Sequence, residues 1–253
     1  IVSERRISTS DFTHTAEIAG SLRHPGIVRV YDFKSTQLNN SEPPVPYLVM
    51  ELVKGELLMD LLARKGASGL GQRRAVALMH GICQAVGAAH RRDIIHLHLE
   101  PESVFVLPPG RNAEEYPFRE SVKVFNFGYQ RSEYNRVIDT LTVEPQGRPV
   151  MYMSPERCQG LGDADVRTDV YSLGVMLYEM IVGRPPFVEG TPLRIARQHL
   201  ENPPPPFPPE LEALPGLEAV VMKALSKDRN ERQADANVLL AELEEVMSAR
   251  RAV

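Results

Sequence analysis

The sequence has no tryptophan and only two cysteines, Cys83 and Cys158, among its 253 residues. Two cysteines this far apart do not form the disulfide framework of a small secreted domain, and they are typical of a reducing compartment. No apolar run is long enough to span a membrane, and the first residues lack the pattern of a signal peptide. These absences predict a cytoplasmic protein.

A surplus of basic residues is also missing. The chain has 29 Lys and Arg against 33 Asp and Glu, a formal net charge of −4. Nucleic-acid-binding domains usually carry a basic surplus, so this balance gives no support for a nucleic-acid partner. The 43% of hydrophobic residues is ordinary for a globular protein, and the chain is long enough to bury a large core.

The apolar pattern changes along the chain. Residues 11–25 have helical spacing with Asp11 as a cap, whereas 26–35 and 47–53 are rich in β-branched and aromatic residues and predict strands. The second strand is apolar enough to be buried on both faces. From Gly55 onward helical spacing dominates. We therefore predict an α+β fold with two unequal lobes, residues 1–53 and 54–253.

One segment gives a sharper indication. IIHLHLEPESVFVL, residues 94–107, resembles the catalytic loop of Ser/Thr protein kinases, which is written H-R-D-[LV]-K-P-x-N. In the same order as in that family, SVKVFNFG (121–128) resembles the strand and metal-binding turn, and YMSPE (152–156) the end of the activation segment. YLVMELVKGELL resembles the hinge, and TDVYSLGVMLYEMIVGRPPF the helix after the activation segment. The chain is identified as a member of the bacterial Hanks-type Ser/Thr kinase family.

The resemblance implies that the scaffold of this fold is kept. Asp169 is expected to accept hydrogen bonds from the backbone of the catalytic loop, and Glu156 to pair with a buried Arg232. His96 and Phe127 are expected in the packed column that joins the loop to the metal turn. The scaffold positions that the resemblance marks are His96, Phe127, Gly128, Glu156, Asp169 and Arg232.

The positions that carry chemistry in the family hold other residues here, namely Thr15, His98, Glu100, Ser103, Asn126 and Pro149. His98 stands where the family has the Asp that orients the attacking hydroxyl, and it adds no negative charge. Glu100 replaces a Lys, so the sign of the charge near the transferring phosphate is reversed. Ser103 and Asn126 replace an Asn and an Asp and attract Mg²⁺ less strongly.

Two further exchanges concern the upper helix and the activation segment. Thr15 stands where the family has an ion-pairing Glu, and Glu17 lies two residues further on, so a local shift that restores Glu17 stays open. Pro149 replaces a Thr and has neither hydroxyl nor N–H. The family's Gly-rich loop and strand Lys precede this helix and are absent from the residues given, so we expect a truncated upper lobe.

These exchanges predict a pseudokinase: a catalytically inactive domain that serves as a regulatory or scaffolding module and binds protein partners. We expect no metal and no obligatory cofactor, with ATP binding left open in a pocket that includes Met50, Glu51, Val53 and Phe105. The alternatives are a Ser/Thr kinase with weak or atypical activity, in which His98 acts in place of the Asp, and a sensor that binds ATP without metal.

The activation segment suggests partners. Thr140 and Thr142 lie in a polar stretch, and a phosphate there would suit a phosphothreonine-reading domain, such as a forkhead-associated domain, after modification by an active Ser/Thr kinase. The alternative is that both are ordinary loop hydroxyls. PPPPFPP (203–209) could bind an SH3-like partner, but a plain loop is favoured. In the family such domains often lie on the cytoplasmic side of a membrane-anchored chain, so a membrane would be reached only through segments outside this sequence.

Overall fold

The computed structural model describes residues 9–37, 44–109, 120–128, 149–160 and 164–248. The helices are α1 (Thr9–Ser21), α2 (Leu58–Lys65), α3 (Gln72–His90), α4 (Pro155–Cys158), α5 (Val166–Val182), α6 (Pro192–Glu201), α7 (Leu217–Ala224) and α8 (Ala236–Ser248). The strands are β1 (Val30–Thr36), β2 (Val45–Met50), β3 (Glu56–Leu57), β4 (Val104–Leu107) and β5 (Ser121–Val124). A few strands followed by a helical body confirm the predicted α+β class.

The first part of the described chain is a two-stranded antiparallel hairpin of β1 and β2, in which Val30 pairs with Met50. The prediction that this second strand is buried on both faces is wrong, since Tyr47 is 41% and Met50 42% exposed. Within the described residues β2 pairs with β1 alone, so its other edge has no strand beside it. Helix α1 begins at Thr9, and the predicted cap Asp11 therefore lies inside it.

The centre of the helical body is α5. Every residue from Thr168 to Ile181 is buried, as expected for a helix that is surrounded by protein on all sides. Helices α3, α7 and α8 pack against it. Helix α5 ends where Gly183 adopts a left-handed conformation with φ of 88°, and the N–H of Gly183 donates to the Glu179 carbonyl.

A second sheet carries the segments of interest. It has the order β3-β4-β5 and is antiparallel throughout. The segment from Ile94 to Ser103 joins α3 to the middle strand β4, and the turn after β5 lies beside it. Two backbone hydrogen bonds, from Val28 to Val124 (2.9 Å) and from Val124 to Gly26 (2.8 Å), attach the upper part of the chain to β5. The sheet therefore fixes both segments relative to each other.

The proline-rich segment 203–208 has no regular secondary structure. Phe207 is buried within it, contacts the ring of Tyr178 at 5.7 Å, and donates its N–H to the Glu218 carboxylate (2.7 Å). These contacts support the loop interpretation. In the described part of the chain, no helix combines the length and the apolar character needed to cross a membrane.

Candidate active site

Asp169 fixes the backbone of the loop at residues 94–103. It lies in the first turn of α5 and is fully buried. One carboxylate oxygen accepts the N–H of Leu97 (2.8 Å), and the other accepts the N–H of His96 (2.7 Å) and contacts His90 Nε2 (2.9 Å). Burial alone would raise the pKa of Asp169, but the hydrogen bond from His90 and the neighbouring donors hold it below its ordinary value. A charged carboxylate thus fixes the loop backbone.

His96 joins the loop to the turn after β5. Its Nε2 donates to the Phe125 carbonyl (2.8 Å), and its Nδ1 accepts the N–H of His98 (3.3 Å). The ring makes a T-shaped contact with Phe127, with centroids 4.6 Å apart. Burial lowers the pKa of His96, so the imidazole is neutral with the proton on Nε2. The structure thus brings the predicted column residues His96 and Phe127 together.

Leu97 occupies the position between these histidines and has a positive φ of 66°. Its carbonyl accepts a hydrogen bond from Arg157 Nη1. Arg157 lies in α4, directly after the S-P-E motif, and is only 4% exposed. Sequence reasoning missed this residue, because a single charged side chain in a four-residue helix has no periodicity that would indicate that it points inward.

The side chain of His98 is half-buried beside this arginine. Burial lowers its pKa to about 3, and the positive charge of Arg157 contributes in the same direction. The imidazole is therefore neutral at physiological pH. His98 supplies a weak base where the family has a carboxylate.

Glu100 and Ser103 bind each other instead of facing outward. Ser103 Oγ donates to the Glu100 carbonyl (2.8 Å) and accepts the Glu100 N–H (3.3 Å). The Glu100 carboxylate in turn accepts the backbone N–H of Ser103, which completes a capping box around the 3₁₀ turn Pro101–Ser103. Because Ser103 is 1% exposed, its hydroxyl belongs to the loop and is not presented to a ligand.

The turn after β5 is held against α1. Asn126 has a positive φ of 69° and is exposed, while Phe127 and Gly128 are buried. Thr15 Oγ1 donates to the Gly128 carbonyl over 2.8 Å. Glu17 is exposed on another face of α1, so no local shift brings it to the position of the family's glutamate.

A small open pocket lies between α1, the hairpin and this turn. The residues that line it are Thr15, Ala19, Ile27, Val28, Val30, Leu48, Met50, Phe125, Asn126 and Phe127. Of the four predicted pocket residues only Met50 is among them. The carboxylate of Glu51 instead pairs with Lys123 Nζ (2.8 Å), Val53 is half-buried in the segment after β2, and the ring of Phe105 stacks on Phe125 at 4.9 Å.

The Glu156–Arg232 pair lies deeper in the helical body. Two guanidinium nitrogens of Arg232 reach the two carboxylate oxygens of Glu156, each at 2.9 Å, and Thr168 Oγ1 adds a third hydrogen bond at 2.9 Å. Burial opposes the charge of Glu156, but Arg232 holds the pKa of Glu156 below its ordinary value. The structure thus brings together the two residues expected to pair.

Potential metal ligands are sparse. Among the residues that the structure describes, no group of three His, Cys, Asp or Glu side chains is arranged to hold a metal ion. Of the family's metal positions, Asn126 offers an exposed amide oxygen, whereas the Ser103 hydroxyl is used within the loop. The described residues alone therefore do not fit a Mg²⁺ ion. Pro149 begins a 3₁₀ turn, Pro149–Tyr152, and Thr140 and Thr142 lie outside the described residues.

Comparison with known proteins gives consistent matches. Residues 2–245 match the model of the protein kinase domain. The chain is 36% identical over 236 residues to the serine/threonine-protein kinase PknB of Mycolicibacterium smegmatis, covering 92% of this chain and 35% of that protein. A probable serine/threonine-protein kinase of Streptomyces coelicolor is 34% identical over 234 residues, covering 92% of this chain and 32% of that protein. The chain thus spans about a third of the length of the curated relatives it matches.

These matches overturn two predictions. The chain was expected to be a catalytically inactive homologue, but the relatives that match almost all of it are named as serine/threonine-protein kinases. The expectation of no metal and no obligatory cofactor is wrong for the same reason, since protein kinases transfer phosphate from ATP with Mg²⁺. Exchanged side chains lower the rate of a reaction without necessarily abolishing it, so the exchanges alone do not establish an inactive domain.

Proposed function

The chain belongs to the protein kinase family, and we propose that it is a Ser/Thr protein kinase domain with weak, atypical phosphotransfer activity. The observation that carries the proposal is the paired hydrogen bonding of Asp169 to the N–H groups of His96 and Leu97, which holds the loop in one conformation directly before His98. A positioned base is what such a loop contributes to phosphoryl transfer. The same proposal applies to any longer protein that contains this chain.

His98 is the base in this proposal. A neutral ring nitrogen accepts the proton of a substrate Ser or Thr hydroxyl while the oxygen bonds to phosphorus and the bond to the leaving group breaks. With a pKa lowered to about 3, His98 is a weaker base than a histidine at its ordinary value of 6.5. Proton removal is therefore inefficient, and the expected rate is low.

Charge around the transferring phosphate lowers the rate further. The family's Lys is replaced by Glu100, whose carboxylate is bound within the loop turn and adds no positive charge. Loss of one charge-stabilising donor typically costs about 10²–10³-fold in rate. Arg157 is the nearby cation, but its Nη1 is bound to the Leu97 carbonyl.

An active Ser/Thr kinase that modifies Thr140 or Thr142, and a phosphothreonine-reading domain that then binds, remain the partners we propose. The division into lobes at residues 53 and 54 also remains a proposal, supported by the irregular segment that follows β2.

A radiolabel transfer assay with the full-length protein tests the proposed activity. The γ-phosphate of ATP is followed into a Ser/Thr-containing acceptor protein, with Mg²⁺ or Mn²⁺, for the wild type, His98→Ala and the double variant His98→Asp with Asn126→Asp. We expect low incorporation by the wild type, none above background for His98→Ala, and an increase of about 10²-fold for the double variant, which restores a carboxylate base.

The matched control is His14→Ala, because His14 is exposed on α1. It should transfer phosphate at the wild-type rate. The proposal would be overturned if the wild type incorporated no phosphate above background while the double variant was active. That result would show a folded domain without activity.

A further inference from the structure

We infer that Thr15 is a positioning residue: its hydroxyl holds α1 and the turn that carries Asn126 together, in place of an ion pair. This inference rests on the proposed function, because the turn matters for transfer only if the domain transfers phosphate. The contact itself is a hydrogen bond of 2.8 Å from Thr15 Oγ1 to the Gly128 carbonyl, between residues 113 positions apart.

The direction of this hydroxyl is unusual for a helix. A threonine inside a helix ordinarily bonds a carbonyl of its own preceding turn. Thr15 instead donates out of α1 to another segment, although it lies in the middle of the helix Thr9–Ser21. The bond therefore connects two elements of the site and does not merely satisfy the helix.

The backbone of Gly128 fits closely against the same helix. A Cβ at Gly128 would lie 2.8 Å from the Thr15 carbonyl oxygen and 3.1 Å from Ile18 Cβ, and its φ of +89° is strained for other residues. The side chain and the backbone of Thr15 thus both approach one glycine. Any outward shift of α1 would break the hydrogen bond and open a gap at Gly128.

The other end of the turn is fixed by His96. Its Nε2 holds the Phe125 carbonyl at 2.8 Å, and its ring packs on Phe127. Asn126 therefore lies between a residue that the catalytic loop holds and a glycine that α1 holds. Its left-handed conformation, with φ of 69°, is maintained from both sides.

No charge is involved in this attachment. Thr15 is neutral, and the carboxylate of Glu17 is on an exposed face of α1. A hydroxyl–carbonyl bond needs neither a lysine partner nor a bound nucleotide, and salt does not screen it as it screens an exposed ion pair. This attachment of α1 to the turn therefore does not depend on a bound ligand.

Hydrogen exchange and phosphotransfer, both measured on the full-length protein, test the inference together. Thr15→Val removes the hydroxyl and keeps the shape, Thr15→Ser restores a hydroxyl, and Ser21→Ala is the control, because Ser21 Oγ bonds the Ile18 carbonyl within the same helix. We expect Thr15→Val to speed exchange in residues 12–20 and 124–128 on the order of fivefold. Thr15→Ser should return both segments to the wild-type rate, and Ser21→Ala should affect the end of α1 alone.

The transfer assay separates this inference from the proposed function. If Thr15→Val lowers kcat with little change in KM and Thr15→Ser recovers it, both stand. If exchange responds as expected while no variant transfers phosphate, the attachment stands and the proposed function fails. If the wild type transfers phosphate but Thr15→Val changes neither exchange at 124–128 nor kcat, the inference is overturned and the proposed function stands. Failure of Thr15→Ser to recover exchange also overturns it.

Discussion

Ser103 and Glu100 hydrogen-bond each other reciprocally across one turn of the catalytic loop, with Ser103 Oγ 2.8 Å from the Glu100 carbonyl oxygen. The family has a Lys and an Asn at these two positions, which serve phosphate and metal. Here the two exchanges form a single structural unit. The pair stabilises the loop from within, and neither polar side chain is left without a role.

Ser103→Ala is expected to lower the free energy of unfolding by about 0.5–2 kcal/mol, the usual cost of losing a capping side chain. The substitution leaves the Glu100 N–H without its acceptor in a turn where Ser103 is 1% exposed. Denaturant unfolding measures the change. Glu102→Ala is the control, because Glu102 lies in the same turn and is exposed. Equal effects of the two variants would contradict the reciprocal cap.

Arg232→Ala should be among the most damaging single changes. It leaves the buried Glu156 carboxylate without its cation, and removing one side of such a pair costs about 3–5 kcal/mol. Arg197→Ala also deletes one side of an ion pair, with Glu201, but the two side chains are 73% and 55% exposed. That control should stay within about 0.5 kcal/mol. Similar midpoints in urea for both variants would refute the ranking.

The stability of the domain should fall as the pH falls below 6.5. His199 is buried with its Nδ1 2.8 Å from the Tyr171 hydroxyl, and burial, aided by the charge of Lys227, lowers its pKa from 6.5 to about 3. Between these values the unfolded chain binds a proton that the folded chain does not, so folding loses up to about 1.4 kcal/mol per pH unit for this group.

Unfolding in urea at pH 7, 6 and 5 measures this slope. His199→Gln should be less stable at pH 7 but show a shallower decline, whereas the exposed His14→Gln should keep the wild-type slope. Below pH 4.5 the decline should steepen, because the pKa values of Asp169 and Glu156 are held below their ordinary values of 3.8 and 4.5 and their contributions are lost on protonation. An unchanged slope in His199→Gln would show that another group is responsible.

The rate of phosphotransfer should not fall near pH 6.5, as it would if the base were a histidine with an ordinary pKa. Because the pKa of His98 is lowered to about 3, its protonation does not change between pH 8 and pH 5. The wild-type rate, measured over the range in which the domain stays folded, should therefore be flat through pH 6.5. A decline of tenfold per pH unit below 6.5 would assign the base to another group or an ordinary pKa to His98.

Phosphorylation of Thr140 or Thr142 is tested by mass spectrometry of protein isolated from its native host. A phosphate adds a charge of about −1.5 to −2 and acceptors that Arg-lined readers bind. We expect modification of at least one of the two threonines, and its loss when both are replaced by alanine. If only unmodified peptides covering both positions are detected, the proposed partners are ruled out.

The sequence was sufficient for the features that depend on motif spacing. The α+β class follows from the order of periodic segments, and Asp169, Glu156 and Arg232 lie where the motifs expected them to contact the loop and each other. These residues could be predicted because the motifs around them match the family's motifs in order and spacing.

Other features depend on contacts that no local pattern contains. The bond from Thr15 to Gly128 joins distant segments, and the burial of Arg157 depends on the carbonyl of Leu97, which a positive φ orients. The exposure of β2 was also missed, since an apolar run indicates a strand but not how many layers cover it. The Glu100–Ser103 pair could have been predicted from the sequence. A capping box usually has Ser or Thr first and Glu or Gln three residues later, and here the carboxylate comes first and the serine three residues later.

The exposed apolar side chains of the β1–β2 hairpin have a practical consequence. Tyr31, Phe33 and Tyr47 are exposed on this hairpin, with Phe33 and Tyr47 on opposite faces, and Leu52 after β2 is the most exposed large apolar side chain of the described residues at 85%. Such a surface makes molecules adhere to one another and to column matrices. Light scattering should show a net attraction between molecules that increases with salt concentration. Dilute samples of low ionic strength are therefore the appropriate starting point for crystallisation and spectroscopy.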